Sequence, residues 1–330
     1  MPTAATPVRQ LHPHAVTELL TTARALLDAF DGVATHPGLL THVPDTAAKL
    51  SDGIRHACRP VDAADGLFVL RGLPVDDEAI GPTPGHWSTA GNAGALHDVV
   101  LLLLSTVMGT PLAWEGQQEG RFVHNIVPSP GHEEEQTGAG SSVLLSPHTE
   151  DAFHPGRAHL LVLGCLRNPD SVATTAASIR RARLDTDDVE LLGRPVLPIL
   201  PDDAYAEAQG YNGAPPPPIP TMWQSPDGPT LRFDPAYTPL DEAPEEHRAA
   251  YRRLEAELSR VSVAVALTPG DVLVVDNDLV VHGRVPFKAR YDGTDRWLKR
   301  SSVRVPGRRT RPQAERFEHG YGQTSVAAFA

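Results

Sequence analysis

Ser146-Pro147-His148-Thr149-Glu150-Asp151-Ala152-Phe153-His154-Pro155, taken with the distant Val280-Val281-His282-Gly283-Arg284, decides how this chain is read. On an extended strand, residues two apart point to one face, so His148 and Glu150 can reach one ion together. One imidazole and one carboxylate leave Fe(II) under-coordinated, and His282 can complete the set. Two histidines and a carboxylate on one face of an octahedron keep positions open for a co-substrate and for O2. A bare His-x-Glu has a simpler account, two polar residues on the wet face of a strand. The surroundings argue for the metal. Asp271-Val272-Leu273-Val274-Val275-Asp276-Asn277 is an apolar strand with polar ends that leads into His282. Arg296 lies 14 residues beyond His282. Its guanidinium fork binds a carboxylate bidentately, a geometry Lys cannot copy. A 2-oxoglutarate molecule that chelates iron by its keto-acid end needs such a partner for its far carboxylate.

Composition narrows the class. The formal charge of −12 over 330 residues, with a pI of about 5.6, argues against a nucleic-acid partner. Cys58 and Cys165 stand far apart and suggest reduced thiols rather than a disulfide framework. The N-terminus lacks the charged-then-apolar pattern of a signal peptide, so a cytoplasmic location is expected. The longest apolar run, Val99-Val100-Leu101-Leu102-Leu103-Leu104, is too short to span a bilayer. It reads as a buried helix over about 94–108. Val16, Leu19, Leu20, Ala23, Leu26, Leu27 and Phe30 repeat at helical spacing over 15–30, and 242–261 is strongly amphipathic. Strands are expected at 158–166, 173–179, 194–200, 271–276, 279–282 and 299–305. His132 to Gly140 is acidic and Gly-rich without periodicity. It fits an active-site lid or a solvated loop. Gly213 to Pro220 is a stiff Pro-rich connector.

The blocks His148–Pro155, Cys165-Leu166-Arg167-Asn168, Val281–Arg284 and Asp292-Gly293-Thr294-Asp295-Arg296-Trp297-Leu298 resemble the clavaminate synthase-like Fe(II)/2-oxoglutarate oxygenases. The branch they are most similar to is the free amino-acid hydroxylases acting on arginine, asparagine or lysine. The matching stretch runs from about Trp114 to about Arg304. The resemblance implies a mainly β fold with flanking helices, a distorted double-stranded β-helix or jelly roll. Residues 1–330 then form one oxygenase domain: a mostly helical part over 1–110, a jelly-roll core over 111–305 with a helical insert at about 241–261, and a C-terminal tail over 306–330.

The resemblance also assigns roles. A threonine, by position Thr175, would help Arg296 hold 2-oxoglutarate; a plain β-branched strand residue is the alternative. Arg300 would pair with the substrate α-carboxylate, or form a surface ion pair. Gln117, or Gln118 one residue on, would grip the α-ammonium together with Glu150. Ser142 is a further candidate for recognising the backbone end. Asp234 would select a cationic or donor-rich side chain. The arginine-hydroxylase pattern has a second aspartate two residues on, where this chain has Ala236. A guanidinium with five donors would lose a partner there. That leaves room for lysine, ornithine, citrulline or a cyclic relative. His154 and His159 read as a turn and a strand histidine.

The implied reaction removes hydrogen from an unactivated β or γ C–H bond, returns hydroxyl, and releases succinate and CO2. Related halogenases carry a small residue in place of the carboxylate, so Glu150 argues for hydroxylation, typical of specialised metabolism such as antibiotic biosynthesis. Desaturation or cyclisation differs only in substrate orientation. A zinc hydrolase using the same triad would leave Arg296 unexplained. A non-catalytic 2-oxoglutarate sensor need not keep all four residues.

Overall fold

The computed structural model describes residues 6–60, 65–206 and 216–329. Among the described residues thirteen strands form three sheets: β1 (Val8–Gln10), β2 (Leu67–Arg71), β3 (Thr110–Leu112), β4 (His124–Ile126), β5 (Leu145–His148), β6 (Leu160–Arg167), β7 (Thr174–Ser178), β8 (Met222–Ser225), β9 (Gly228–Leu231), β10 (Val263–Val265), β11 (Val272–Asp276), β12 (Val280–Arg284) and β13 (Trp297–Arg304). The larger sheet runs β1-β2-β11-β6-β13-β3, with β4 also on β13. The smaller runs β10-β7-β12-β5, and β8-β9 is a hairpin. Only β1 and β2 pair in parallel. This is the distorted double-stranded β-helix that the resemblance implies.

The central strands β2, β6 and β11 of the large sheet are apolar along most of their length because both faces there are covered. Leu160, Val162, Val272 and Val274 turn outward against a helical layer that includes Leu19, Leu39 and Leu101. Leu161, Leu163, Leu273 and Val275 turn inward to a cluster shared with Ala177 and Val281 of the small sheet. Helix 95–108 supplies most of the outer contact and is buried nearly all round. Each such leucine contributes about 2 kcal/mol on leaving water. Helix 13–29 begins at Pro13, where a missing N–H costs nothing. Helix 245–261 buries Tyr251, Leu254 and Leu258 and joins the inward cluster. No helix of the described residues is long and apolar enough to cross a membrane. Cys58 and Cys165 are buried free thiols.

One expectation needs correction. Residues 194–200 form no strand. Leu197 makes a single bridge to Ile219, because Pro195 and Pro198 remove the donors a ladder requires. Of the connector, Gly213 to Pro215 lies outside the described residues, and the remainder carries that bridge. The C-terminal tail after Val305 packs back against the core. Its Glu315 and Glu318 pair with the buried Arg157 and Arg232, and Ser325 bridges to Trp114.

Candidate active site

His148 and His282 sit directly opposite each other on the antiparallel β5–β12 pair, with ring centroids 4.5 Å apart. Between them only glycine fits at position 283: a Cβ there would strike the carbonyl oxygen of Leu145 and come within 2.9 Å of Thr175 Oγ1. His148 Nδ1–H donates to Ser146 O at 2.8 Å, which turns the Nε2 lone pair toward the ion position.

Glu150 reaches the site by another route than the one expected. β5 ends at His148, and the next residues leave the ladder. Thr149 N–H donates to Phe233 O at 2.8 Å, Glu150 N–H donates to Asn277 Oδ1 at 2.8 Å, and Asp151 is left-handed with φ 51°. Trp114 Nε1 and Tyr205 OH each donate to the Asp151 carboxylate at 2.8 Å and hold that conformation. Glu150 Oε2 nonetheless lies 3.2 Å from His282 Nε2 and 3.8 Å from His148 Nε2. The three ligand atoms lie within 4.8 Å of one another, the one such group among the described residues.

The electrostatics fit a cation. Burial would raise Glu150, but Arg300 and the two imidazoles hold it well below the carboxylate range. Burial opposes charge on His148, yet Glu150 and Asp234 raise it to about 9, a proton standing where a metal's charge belongs. His282 is lowered by burial and by His148.

All of these line one cavity of about 470 Å³. At one part of it lie Arg296 and Arg284, both buried. Among the described residues neither pairs with a carboxylate, and Arg296 Nε is buried without a partner. Burial pushes both guanidiniums down to about 10. Such a pair calls for an anion. Arg296 Nη2 donates to Thr174 Oγ1 at 3.1 Å, and Thr174 faces the cavity. Thr175 does not. Its Oγ1 is buried without a partner, on the other face of β7, because one step along a strand flips the side chain. Arg284 also donates to the carbonyls of Gly140 and Val143 and so ties loop 129–143 to the site.

Arg300 pairs with Glu150 Oε1 and donates to His124 Nδ1 at 2.9 Å. Burial, with Arg300 beside it, pushes His124 down to about 3, so it accepts as the neutral ring. Gln118 is committed to the backbone of Asn125 at 2.9 and 3.0 Å. Gln117 lines the cavity and makes no such bond. Asp234 lines it too, with Oδ1 accepting from the N–H groups of Ala236 and Tyr237 at 3.1 and 3.3 Å. Ser142 is exposed, donates to Glu133 O at 3.0 Å, and does not line the cavity. It belongs to the loop's own framework.

Two lining carboxylates, Asp202 and its neighbour Asp203, go unseen by sequence reading. Asp202, in Pro201-Asp202-Asp203-Ala204, lines the cavity and is raised to about 7 by burial and by Asp151 and Glu150. Burial likewise lifts Asp234 to about 6. His154 and His159 stay in structural roles, accepting from Gly156 N–H at 2.9 Å and from Val305 N–H at 3.1 Å.

A His-Glu-His face beside an unpaired guanidinium, within a double-stranded β-helix, defines a non-haem iron, 2-oxo-acid-dependent oxygenase site. The family model for taurine catabolism dioxygenase TauD, TfdA family, matches residues 44–302, and the chain belongs to that family. It is an Fe(II)- and 2-oxoglutarate-dependent dioxygenase. It is 38% identical over 269 residues to the enduracididine beta-hydroxylase of Streptomyces hygroscopicus, covering 74% of this chain and 79% of that protein. It is 34% identical over 261 residues to the L-ornithine/L-arginine 3-hydroxylase of Catenulispora acidiphila, covering 72% and 76%. The non-heme iron oxygenase OrfP, solved with Fe, succinate and (3S)-hydroxy-L-Arg, superposes with a TM-score of 0.78 at 36% identity, over 90% of this chain and 94% of that one.

Proposed function

We propose that this enzyme hydroxylates a free L-amino acid with a cationic side chain at an unactivated β or γ carbon. The observation that carries this reading is a single cavity holding the triad, the unpaired Arg296 and the carboxylates Asp202 and Asp234. His148, Glu150 and His282 would hold Fe(II). Arg296 with Thr174 would hold 2-oxoglutarate by its far carboxylate. When bound, iron and 2-oxoglutarate would supply with O2 an oxidant strong enough for an aliphatic C–H bond, one oxygen atom going to the substrate and the other to succinate, which is released with CO2. The protein's part is placement. Arg300 takes the substrate α-carboxylate, Gln117 and the outer oxygen of Glu150 take the α-ammonium, and Asp234 with Asp202 takes the side-chain cation. Asp202 thereby supplies the second carboxylate that Ala236 lacks. The relatives named as hydroxylases support hydroxylation over desaturation or cyclisation, and family membership stands against the zinc-hydrolase and sensor readings. Helices packed on the large sheet support residues 1–330 working as one domain. Two free thiols support a reducing, cytoplasmic setting.

The test is succinate release with Fe(II), 2-oxoglutarate and O2 across free L-amino acids, with mass detection of a product heavier by one oxygen. Strong turnover of arginine, ornithine, lysine or a cyclic guanidine supports the reading. Turnover of asparagine alone would refute the cationic choice.

Asp202→Asn is expected to raise KM for the cationic substrate about 10- to 100-fold, the loss of one charge-assisted hydrogen bond of about 1.5–3 kcal/mol. The kcat should change little. A KM within twofold of wild type would remove Asp202 from recognition.

The same carboxylates set a pH dependence. Both are raised, so they are ionised above about 7 and take up protons as pH falls through about 7 for Asp202 and about 6 for Asp234. The kcat/KM for a cationic substrate is therefore expected to fall below pH 7, and the upper step should vanish in Asp202→Asn. A profile identical in the two proteins would reject this account.

A further inference from the structure

Glu150 lies outside any ladder, between Thr149 and the left-handed Asp151, so something other than sheet register must hold its backbone. Asn277 does so from both sides. Its Oδ1 accepts from Glu150 N–H at 2.8 Å, and its Nδ2 donates to Glu150 O at 3.0 Å and to Ala158 O at 3.1 Å. Asn277 is fully buried, and its own N–H donates to His159 O at 2.9 Å. One side-chain amide thus grips the peptide of the carboxylate ligand across 127 positions of sequence.

The turn that carries Asn277 is itself clamped. Asp276 and Asp278 on either side are fully buried. Asp276 accepts from Arg308 Nη2 at 2.6 Å and from Arg309 Nη1 at 2.7 Å. Asp278 accepts from Arg311 Nε and Nη2 at 3.1 and 3.0 Å, with Arg157 at 3.7 Å. Buried carboxylates stripped of their cations are costly and move the chain that bears them. Arg308, Arg309 and Arg311 lie beyond residue 302, where the family match ends.

We propose that Asn277 is the positioning residue for Glu150, and that Arg308, Arg309 and Arg311 of the C-terminal segment fix it in place. The proposal rests on the reading that Glu150 ligates the metal. A partner one bond removed from a metal ligand typically governs affinity about 10- to 100-fold.

The test titrates Mn(II) into purified apo-protein and follows the free ion by electron paramagnetic resonance, with circular dichroism recording the fold. Asn277→Asp keeps the size and the acceptor but replaces the donor with an oxygen that faces two carbonyl oxygens. It is expected to weaken Mn(II) binding about 10- to 100-fold with an unchanged dichroism spectrum. The double variant Arg308→Gln/Arg309→Gln is expected to weaken it in the same direction by a smaller factor. Wild-type affinity in folded Asn277→Asp would overturn the proposal. Wild-type affinity in the double variant alone would overturn the tail's share. Unfolding of both would assign the cluster to fold stability and overturn it too. A wild-type protein that binds no Mn(II) would instead overturn the metal reading beneath it.

Discussion

Glu150→Ala is expected to lower turnover by at least about three orders of magnitude, the scale on which members of a catalytic unit fail. Two functions meet on this one carboxylate. Its Oε2 completes the donor set with His148 and His282, and its Oε1 neutralises Arg300. Removing it leaves two neutral nitrogen ligands, too few to hold Fe(II) with the open positions the chemistry needs. It also leaves the Arg300 cation without its ion-pair partner where the substrate α-carboxylate would dock. Metal affinity and turnover should therefore fall together, while KM for any residual reaction need not rise. Retention of a tenth of wild-type kcat, with Fe(II) still bound, would show that the carboxylate ligand lies elsewhere.

Arg296→Met should weaken 2-oxoglutarate use by two to three orders of magnitude in kcat/KM. Losing one partner of a buried, hydrogen-bonded charge pair costs about 2–5 kcal/mol. Methionine fills similar volume and carries no charge, so the packing around position 296 is largely kept. Arg284 stays nearby, but its guanidinium is spent on the carbonyls of Gly140 and Val143 and cannot substitute. Arg296→Lys should recover only part of the loss, since an ammonium cannot form the bidentate fork. The check is a 2-oxoglutarate titration at saturating amino acid. An unchanged KM for 2-oxoglutarate in Arg296→Met would refute the assignment.

The parts of the site that could be read from sequence are those written in local chemistry. His148 and His282 announce themselves through residue type and spacing. Glu150 was expected for a partly mistaken reason: the chain leaves the strand before reaching it, and the carboxylate arrives by a turn. Thr174 and Thr175 differ by one position, and only the register of β7 on β12 tells which faces inward. Ser142 looked available because its bond to Glu133 depends on how loop 129–143 folds back. The apolar run at 194–200 suggested a strand that its prolines forbid. Asp202 had no local signal, since its role comes from a connection that returns to the cavity. Arg308 to Arg311 carry no local signature, because Asp276 and Asp278 lie more than thirty positions upstream.

His148 and His282 face each other across one rung although they stand at residues 148 and 282. A loop that long is closed only when β7, β11 and β12 have already found their neighbours, and its closure entropy must be met by that sheet pairing. An ion cannot act as the nucleus of this molecule in the way it does in a zinc finger. The binding site is a late product of assembly, so nascent or half-folded chains present the metal with scattered ligands and little affinity. Loading falls to the finished protein, and whichever iron supply it meets at that moment sets how much of it becomes active.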